Sequence, residues 1–277
     1  MTTAPSAGLD AEPIAPLIGA RVRLGKAALL AGRHAAALRA LLEERGVLVF
    51  PQVHFSPDEQ VVFTRTLGED APDTADGTPT AISIDPGGGA SADYTRASFF
   101  WHFDGYMNPV PVLASILCAE ALSDEGGDTE FANTYAAWEA LPAATKQRIE
   151  GLRAVHALAA AQLAVEPEPS AARLAEWLKV PRATLPLVWT HRSGRKSLVI
   201  GNTAAGVVGM DPLESLELLT SLRDWATQPR FTCRHRWAVG DAVMWDNTGT
   251  LHRALPYPSG SGRRMRRTKL AGEEPFA

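Results

Sequence analysis

The chain is poor in the features that would mark many functional classes. Its 277 residues contain only two cysteines, Cys118 and Cys233. They lie far apart with no metal-type spacing, so neither a disulfide framework nor a thiolate zinc site is expected, and a reducing compartment is. No apolar run approaches the roughly 20 residues needed to cross a bilayer. The opening MTTAPSAGLDAEPIAPL has no charged stretch followed by an apolar one, so it does not read as a secretory leader. The formal charge of -4 is too small and too evenly spread for nucleic acid or an anionic membrane as main partner. These readings point to a cytoplasmic protein with a small-molecule partner. The content is otherwise ordinary, 45% hydrophobic and 21% charged, in a chain long enough for a sizeable core. No internal repeat or linker divides it, so a single domain over 1–277 is expected.

Residues 1–18 are rich in Ala, Pro and Gly and read as a loose tail. Leu, Ala and charged residues recur at helical spacing over 26–45, with Gly46 as a stop. GVLVFPQV (46–53) then reads as a buried strand. In SPDEQVVFTRTLGE (56–69), Ser56 caps a helix, Pro57 opens it and Glu59 completes a capping box. Residues 70–97 are crowded with Gly, Pro, Asp and Ser, a long connection suited either to a flap over a site or to a plain surface loop. PVLASILCAEAL (111–122) is strand-like, 134–150 helical, and 158–180 helical but broken at Pro167 and Pro169. Short strand signals follow at frequent intervals to the end. Many short strands without alternating helices predict a closed or sandwiched antiparallel β core rather than a parallel doubly wound sheet.

SFFWHFDG (98–105) is the first chemical signal. Burying an imidazole and a carboxylate among aromatics is costly unless both are satisfied. On a strand, side chains alternate, so His102 and Asp104 share one face and Trp101 and Phe103 the other. The same alternation would put Phe100 on the His102 face. A third ligand must come from elsewhere, and His252, after the strand and bend of GDAVMWDN (240–247), is the candidate. Two histidines and a carboxylate with open positions suit non-haem Fe(II), with catalytic Zn²⁺, in a hydrolase or lyase, as the alternative. Arg263 and Arg267 of RRMRR (263–267) would share a strand face, and guanidinium groups near an open metal position suit a carboxylate. Arg264 and Arg266, on the other face, read as the solvated side of a basic edge strand.

These pieces, in this order, resemble the TauD/TfdA family of Fe(II)- and 2-oxoglutarate-dependent dioxygenases. GGDTEF (126–131), WEALP (138–142), GRKSLVIG (194–201), HRWAVGDAVMWDN (235–247), LHRA (251–254) and RRMRRT (263–268) carry the likeness, which spans most of the chain and leans towards the phenoxyacetate branch. The resemblance implies a double-stranded β-helix (jelly roll, cupin-like) flanked by helices, with Fe(II), 2-oxoglutarate and O₂ as cofactor and co-substrates. It implies His102, Asp104 and His252 as iron ligands, and Arg263 with Thr129 as the grip on the far carboxylate of 2-oxoglutarate. Arg267 would lie near the co-substrate or hold an anionic substrate, while Trp245 and Asn247 would brace the turn before His252. Hydroxylation of a small organic anion, with C–O, C–S or C–N cleavage to follow, is the implied reaction; desaturation or another oxidative outcome is the variant. Family members commonly form dimers or tetramers. Phe100, Gly105 and Tyr106 are the expected pocket residues, Gly105 leaving room for a bulky group. His156, His191 and His235 match no ligand position.

Overall fold

The structure is a computed structural model that describes residues 9–85 and 92–277. Along the chain, β1 (Ala11–Pro13) and β2 (Ala20–Val22) lead into α1 (Lys26–Leu30), α2 (Ala35–Arg45), β3 (Val47–Phe50), α3 (Pro57–Leu67), β4 (Thr80–Ile82) and α4 (Ala92–Arg96). The middle holds β5 (Ala114–Ala121), β6 (Thr129–Asn133), α5 (Thr134–Glu139), α6 (Ala143–Ile149), β7 (Arg153–His156), α7 (Leu158–Val165) and α8 (Ala171–Leu178). Then come β8 (Ala183–Pro186), β9 (Val188–Thr190), β10 (Lys196–Leu198), β11 (Ala204–Val207), α9 (Pro212–Ala226), β12 (Thr232–His235), β13 (Ala242–Asp246), β14 (Thr250–Ala254) and β15 (Arg264–Leu270).

Seven strands form the large sheet in the order β1-β2-β3-β13-β5-β15-β4, antiparallel except for the parallel pair β2 and β3. A smaller sheet, β12-β6-β14, carries one of the expected ligands. Strand β3 is apolar at every position, and β13 and β5 are largely so, because both faces are covered. Val47, Val49, Val243, Trp245 and Leu117 pack with Phe131 of the small sheet. Their alternates Leu48, Phe50, Met244 and Ile116 pack against Leu38, Leu41 and Phe63 of α2 and α3. This is the jelly-roll core with flanking helices, although the large sheet stays open rather than closing on itself.

Some expectations hold to the residue. Ser56 accepts from the Glu59 amide while Glu59 accepts from the Ser56 amide, the capping box read in the sequence. Others need correcting. The segment 26–45 is two helices, parted by Gly32, whose φ of 72° belongs to the left-handed region. The N-terminal segment is not a loose tail throughout: β1 and β2 join the sheet and Ile18 is fully buried, while residues 1–8 lie outside those described. The expected flap is anchored in its first part, where β4 pairs with Met265–Arg267 of β15 and Asp73 pairs with Arg267 and Lys269. Residues 86–91 lie outside the described residues. Because β4 takes the edge, β15 is an interior strand, and Arg264 and Arg266 are not simply solvated: both grip Glu120, at 2.6 and 2.9 Å. The region read only as short strands also holds α9, the longest helix among those described, capped by Asp211 with Pro212 at its first position.

Candidate active site

The stretch 97–105 is not a strand. Ala97–Phe99 is a turn of 3-10 helix, and His102 makes an isolated bridge to His252. The bridge does the positioning that alternation was expected to do. The His102 amide donates to the His252 carbonyl at 3.0 Å and the His252 amide returns the bond at 2.8 Å. The two imidazole centroids then sit 4.1 Å apart. Asp104 completes the group, one carboxylate oxygen 4.0 Å from His102 Nε2 and the other 3.9 Å from His252 Nε2. One ligand atom from each of the three lies within 4.8 Å of the others. Trp101 and Phe103 turn the other way, into the apolar cluster with Trp189 and Leu198.

Each ligand is oriented by a neighbour. His102 Nδ1 donates to the Phe100 carbonyl at 2.8 Å, which leaves Nε2 as the lone-pair nitrogen facing the site. His252 lies between the rings of Trp245 and Phe131, at 4.7 and 6.4 Å. Asp104 Oδ2 accepts from the Ser115 hydroxyl at 3.0 Å and faces Arg267 Nη1 at 3.6 Å. Ser115 is itself held by Asn247 Nδ2 at 2.9 Å, and Asn247 Oδ1 accepts from Trp245 Nε1 at 2.9 Å. Trp245 and Asn247 therefore brace more than their own turn: through Ser115 they reach the carboxylate. Ser115, fully buried in an apolar strand, carries no motif and was not singled out in the sequence.

The electrostatics suit a cation. Burial draws both imidazoles towards the neutral form, and for His252 the neighbouring His102 adds to this. Burial alone would raise Asp104, but the Arg267 guanidinium, helped by the Ser115 hydroxyl, outweighs it and holds the carboxyl well below its usual range. Two neutral nitrogens and an ionised carboxylate are the donor set for which no proton need leave on metal binding.

Arg263 is buried, donates from Nη2 to the Gly127 carbonyl at 3.0 Å and stacks over Tyr257 at 4.5 Å. Gly127 permits this approach, since a Cβ there would stand 2.8 Å from Arg263 Nε. Thr129 is buried on β6, its hydroxyl oxygen accepting from Trp237 Nε1 at 3.0 Å. Arg267 spans two carboxylates, Asp104 and, at 3.2 Å, Asp73.

The expected pocket residues fare differently. Phe100 supplies its carbonyl to His102, but its side chain lines a 720 Å³ cavity with Trp101, Asn202 and Arg253 that none of the three ligand residues lines. The 3-10 turn before it breaks the alternation that placed it beside His102. Gly105 leaves no room for a bulky group: its φ is 86° and a Cβ would meet Val112 at 3.0 Å, so it serves the turn. Tyr106 is buried against His156, ring centroids 6.1 Å apart. The three unassigned histidines have protein partners, His156 with Thr203, His191 with Glu274 and Ser197, and His235 with Asp241.

The chain resembles known proteins along most of its length. The family model described as taurine catabolism dioxygenase TauD, TfdA family matches residues 10–269. A (S)-phenoxypropionate/alpha-ketoglutarate-dioxygenase of Sphingobium herbicidovorans is 34% identical over 97% of this chain and 96% of its own. An alpha-ketoglutarate-dependent 2,4-dichlorophenoxyacetate dioxygenase of Cupriavidus pinatubonensis is 35% identical over 93% of this chain and 96% of its own. Among solved structures, AAD-2 in complex with Mn(II) and N-oxalylglycine superposes with a TM-score of 0.83 at 28% identity, covering 97% of this chain and 99% of that one. The chain belongs to the TauD/TfdA family and is an Fe(II)- and 2-oxoglutarate-dependent dioxygenase.

Proposed function

We propose that the enzyme hydroxylates a small organic anion of the aryloxyalkanoate type, with His102, Asp104 and His252 holding the iron. The observation that carries the metal assignment is the meeting of three ligand atoms within 4.8 Å, with the carboxylate ionised and Arg267 beside it. The substrate class rests on Arg267, placed beside Asp104, and on the named relatives, whose substrates are phenoxypropionate and 2,4-dichlorophenoxyacetate.

Fe(II), when bound with 2-oxoglutarate and O₂, supplies the oxidising chemistry: the co-substrate leaves as succinate and CO₂, and one oxygen atom enters a substrate C–H bond. The chain's own residues do the rest. Ser115 engages Asp104 Oδ2, so Oδ1 is the freer carboxylate oxygen and would be the one offered to the metal. Arg263 and Thr129 hold the far carboxylate of 2-oxoglutarate, the arginine from a buried seat where a charge-assisted bond is strong. Arg267 attracts the substrate's anionic group and thereby orients the carbon next to the ether oxygen. Trp101 and Phe103 form an apolar backing that excludes water. Hydroxylation at that carbon gives a hemiacetal, which collapses to a phenol and a 2-oxo acid. The fold acts as one domain, and among the described residues no helix is long and apolar enough to cross a membrane.

Anaerobic addition of Fe(II) and 2-oxoglutarate should give the weak visible band of the metal-bound 2-oxo acid, and a productive anion should shift it. With O₂, succinate should form in step with the phenol. His102→Ala should abolish the band; a band of unchanged strength in that variant would sink the ligand assignment.

A further inference from the structure

Tyr257 has entered so far only as the ring beneath Arg263, and its surroundings are unusual. The side chain is buried, with the Arg263 guanidinium 4.5 Å over one face and Phe99 edge-on at 5.7 Å. A phenylalanine would make both contacts. The chain nevertheless buries a hydroxyl there that meets only the Arg263 guanidinium, itself a donor, so among the described residues its own proton finds no acceptor. A buried polar group left in that state is costly, and in native proteins such exceptions call for a missing partner.

Its neighbours show the same deficit. Arg263 Nη2 donates to Gly127, but Nε is buried and has no partner among the described residues. Among the described residues, no carboxylate makes an ion pair with Arg263. Asp128, the one whose charge acts on it, is engaged by Arg234 at 2.6 Å. Thr129 accepts from Trp237, which leaves the threonine's own proton to give. The chain brings these groups together locally: Gly127 bonds to the Leu255 carbonyl, Thr129 pairs with Ala254, and Gly126 lies against Pro256 and Tyr257. The Tyr257 hydroxyl, Arg263 Nε and the Thr129 hydroxyl thus each keep a proton to donate. What they lack is a planar anion with several lone pairs.

We propose that the Tyr257 hydroxyl donates to the far carboxylate of 2-oxoglutarate, beside Arg263 and Thr129, while its ring seats the guanidinium. The inference rests on the reading of Arg263 and Thr129 given above. The phenol thus adds a neutral donor to a site otherwise described by a cation and a small hydroxyl. Its ring also links Phe99, three residues before His102, to the co-substrate arginine.

The test is calorimetry on the full-length Mn(II)-loaded protein with two probes. N-Oxalylglycine carries the far carboxylate; oxalate chelates the metal without it. Tyr257→Phe keeps the ring and removes only the hydroxyl. It should weaken N-oxalylglycine about 10-fold, the scale of a hydrogen bond to a charged group, and leave oxalate unchanged. Unchanged N-oxalylglycine binding would overturn the proposal, as would an equal loss for both probes, which would mark a structural role. Failure of the wild-type protein to bind either probe would instead refute the underlying reading of the site.

Discussion

Replacing Ser115 by alanine removes one hydroxyl and deprives two buried groups of it. Asp104 Oδ2 loses its donor at 3.0 Å, and Asn247 Nδ2 loses its acceptor at 2.9 Å. A hydrogen bond to a charged group contributes about 1.5–3 kcal/mol, and leaving a buried amide donor unpaired costs about 1–3 kcal/mol. The Asp104 loss is softened because Arg267 still faces the same oxygen at 3.6 Å. The unloaded protein should therefore lose roughly 2–4 kcal/mol and remain folded. The larger consequence concerns the metal. With Oδ2 released, the carboxylate can rotate or chelate through both oxygens, and loss of such an outer-shell partner weakens metal binding about 10- to 100-fold. Mn(II) titration by calorimetry measures this directly, and the metal-induced rise in melting temperature should shrink in parallel, by about 1.4–2.7 kcal/mol of linkage. Wild-type metal affinity in a variant whose unloaded form is destabilised would refute the reasoning. It would mean that backbone placement alone orients Asp104.

Three further outcomes are expected. Burial lowers His156 from 6.5 to about 4, so it is neutral in the folded protein where the unfolded chain would bind a proton. Stability conferred by this neutral state is full above pH 6.5 and falls as pH drops towards 4, by about 3 kcal/mol. Denaturant unfolding at pH 7 and pH 4 should show a smaller acid loss for His156→Leu than for wild type, and equal losses would refute this. Gly127→Ala would place a Cβ 2.8 Å from Arg263 Nε at a residue whose φ is 78°, displacing the guanidinium. KM for 2-oxoglutarate should rise about 10-fold, a unit of lost charge-assisted bonding, and an unaltered KM would show that Arg263 does not hold the co-substrate. Arg267→Gln should raise KM for an anionic substrate about 10-fold or more and have less effect on that for 2-oxoglutarate; the reverse pattern would move Arg267 to the co-substrate.

What could be read in the sequence was local. The capping box at Ser56 and Glu59 uses contacts three residues apart, and the apolar run 47–50 announces a strand covered on both faces. The ligand pair His102 and Asp104 was legible from residue type, although the geometry that unites it with His252 is a bridge to a strand 150 residues away and not alternation along a strand. Ser115 and Tyr257 were hidden for a related reason. Each is an ordinary residue whose meaning comes from long-range pairing: Ser115 opposite Trp245 in the large sheet, Tyr257 beneath Arg263. The edge reading of β15 failed because β4, from a segment without strand-like pattern, covers it. Helix α9 was legible in principle, with Asp211 and Pro212 at its start and leucines at helical spacing, but the surrounding strand signals masked it.

The reciprocal bonds between His102 and His252 bear on how this site can change over time. The spacing of the two backbones is set by peptide groups, so it does not depend on which side chains flank them. Substitutions at neighbouring positions such as Arg253 or Leu251 can drift without moving the jaws of the clamp. A single inserted or deleted residue on either side cannot, because a slip of one position turns a side chain to the opposite face. The site is therefore permissive to point change and brittle to length change. Variation in substrate preference should be reached by exchanging residues around a fixed span, with insertions confined to the connections away from the bridge.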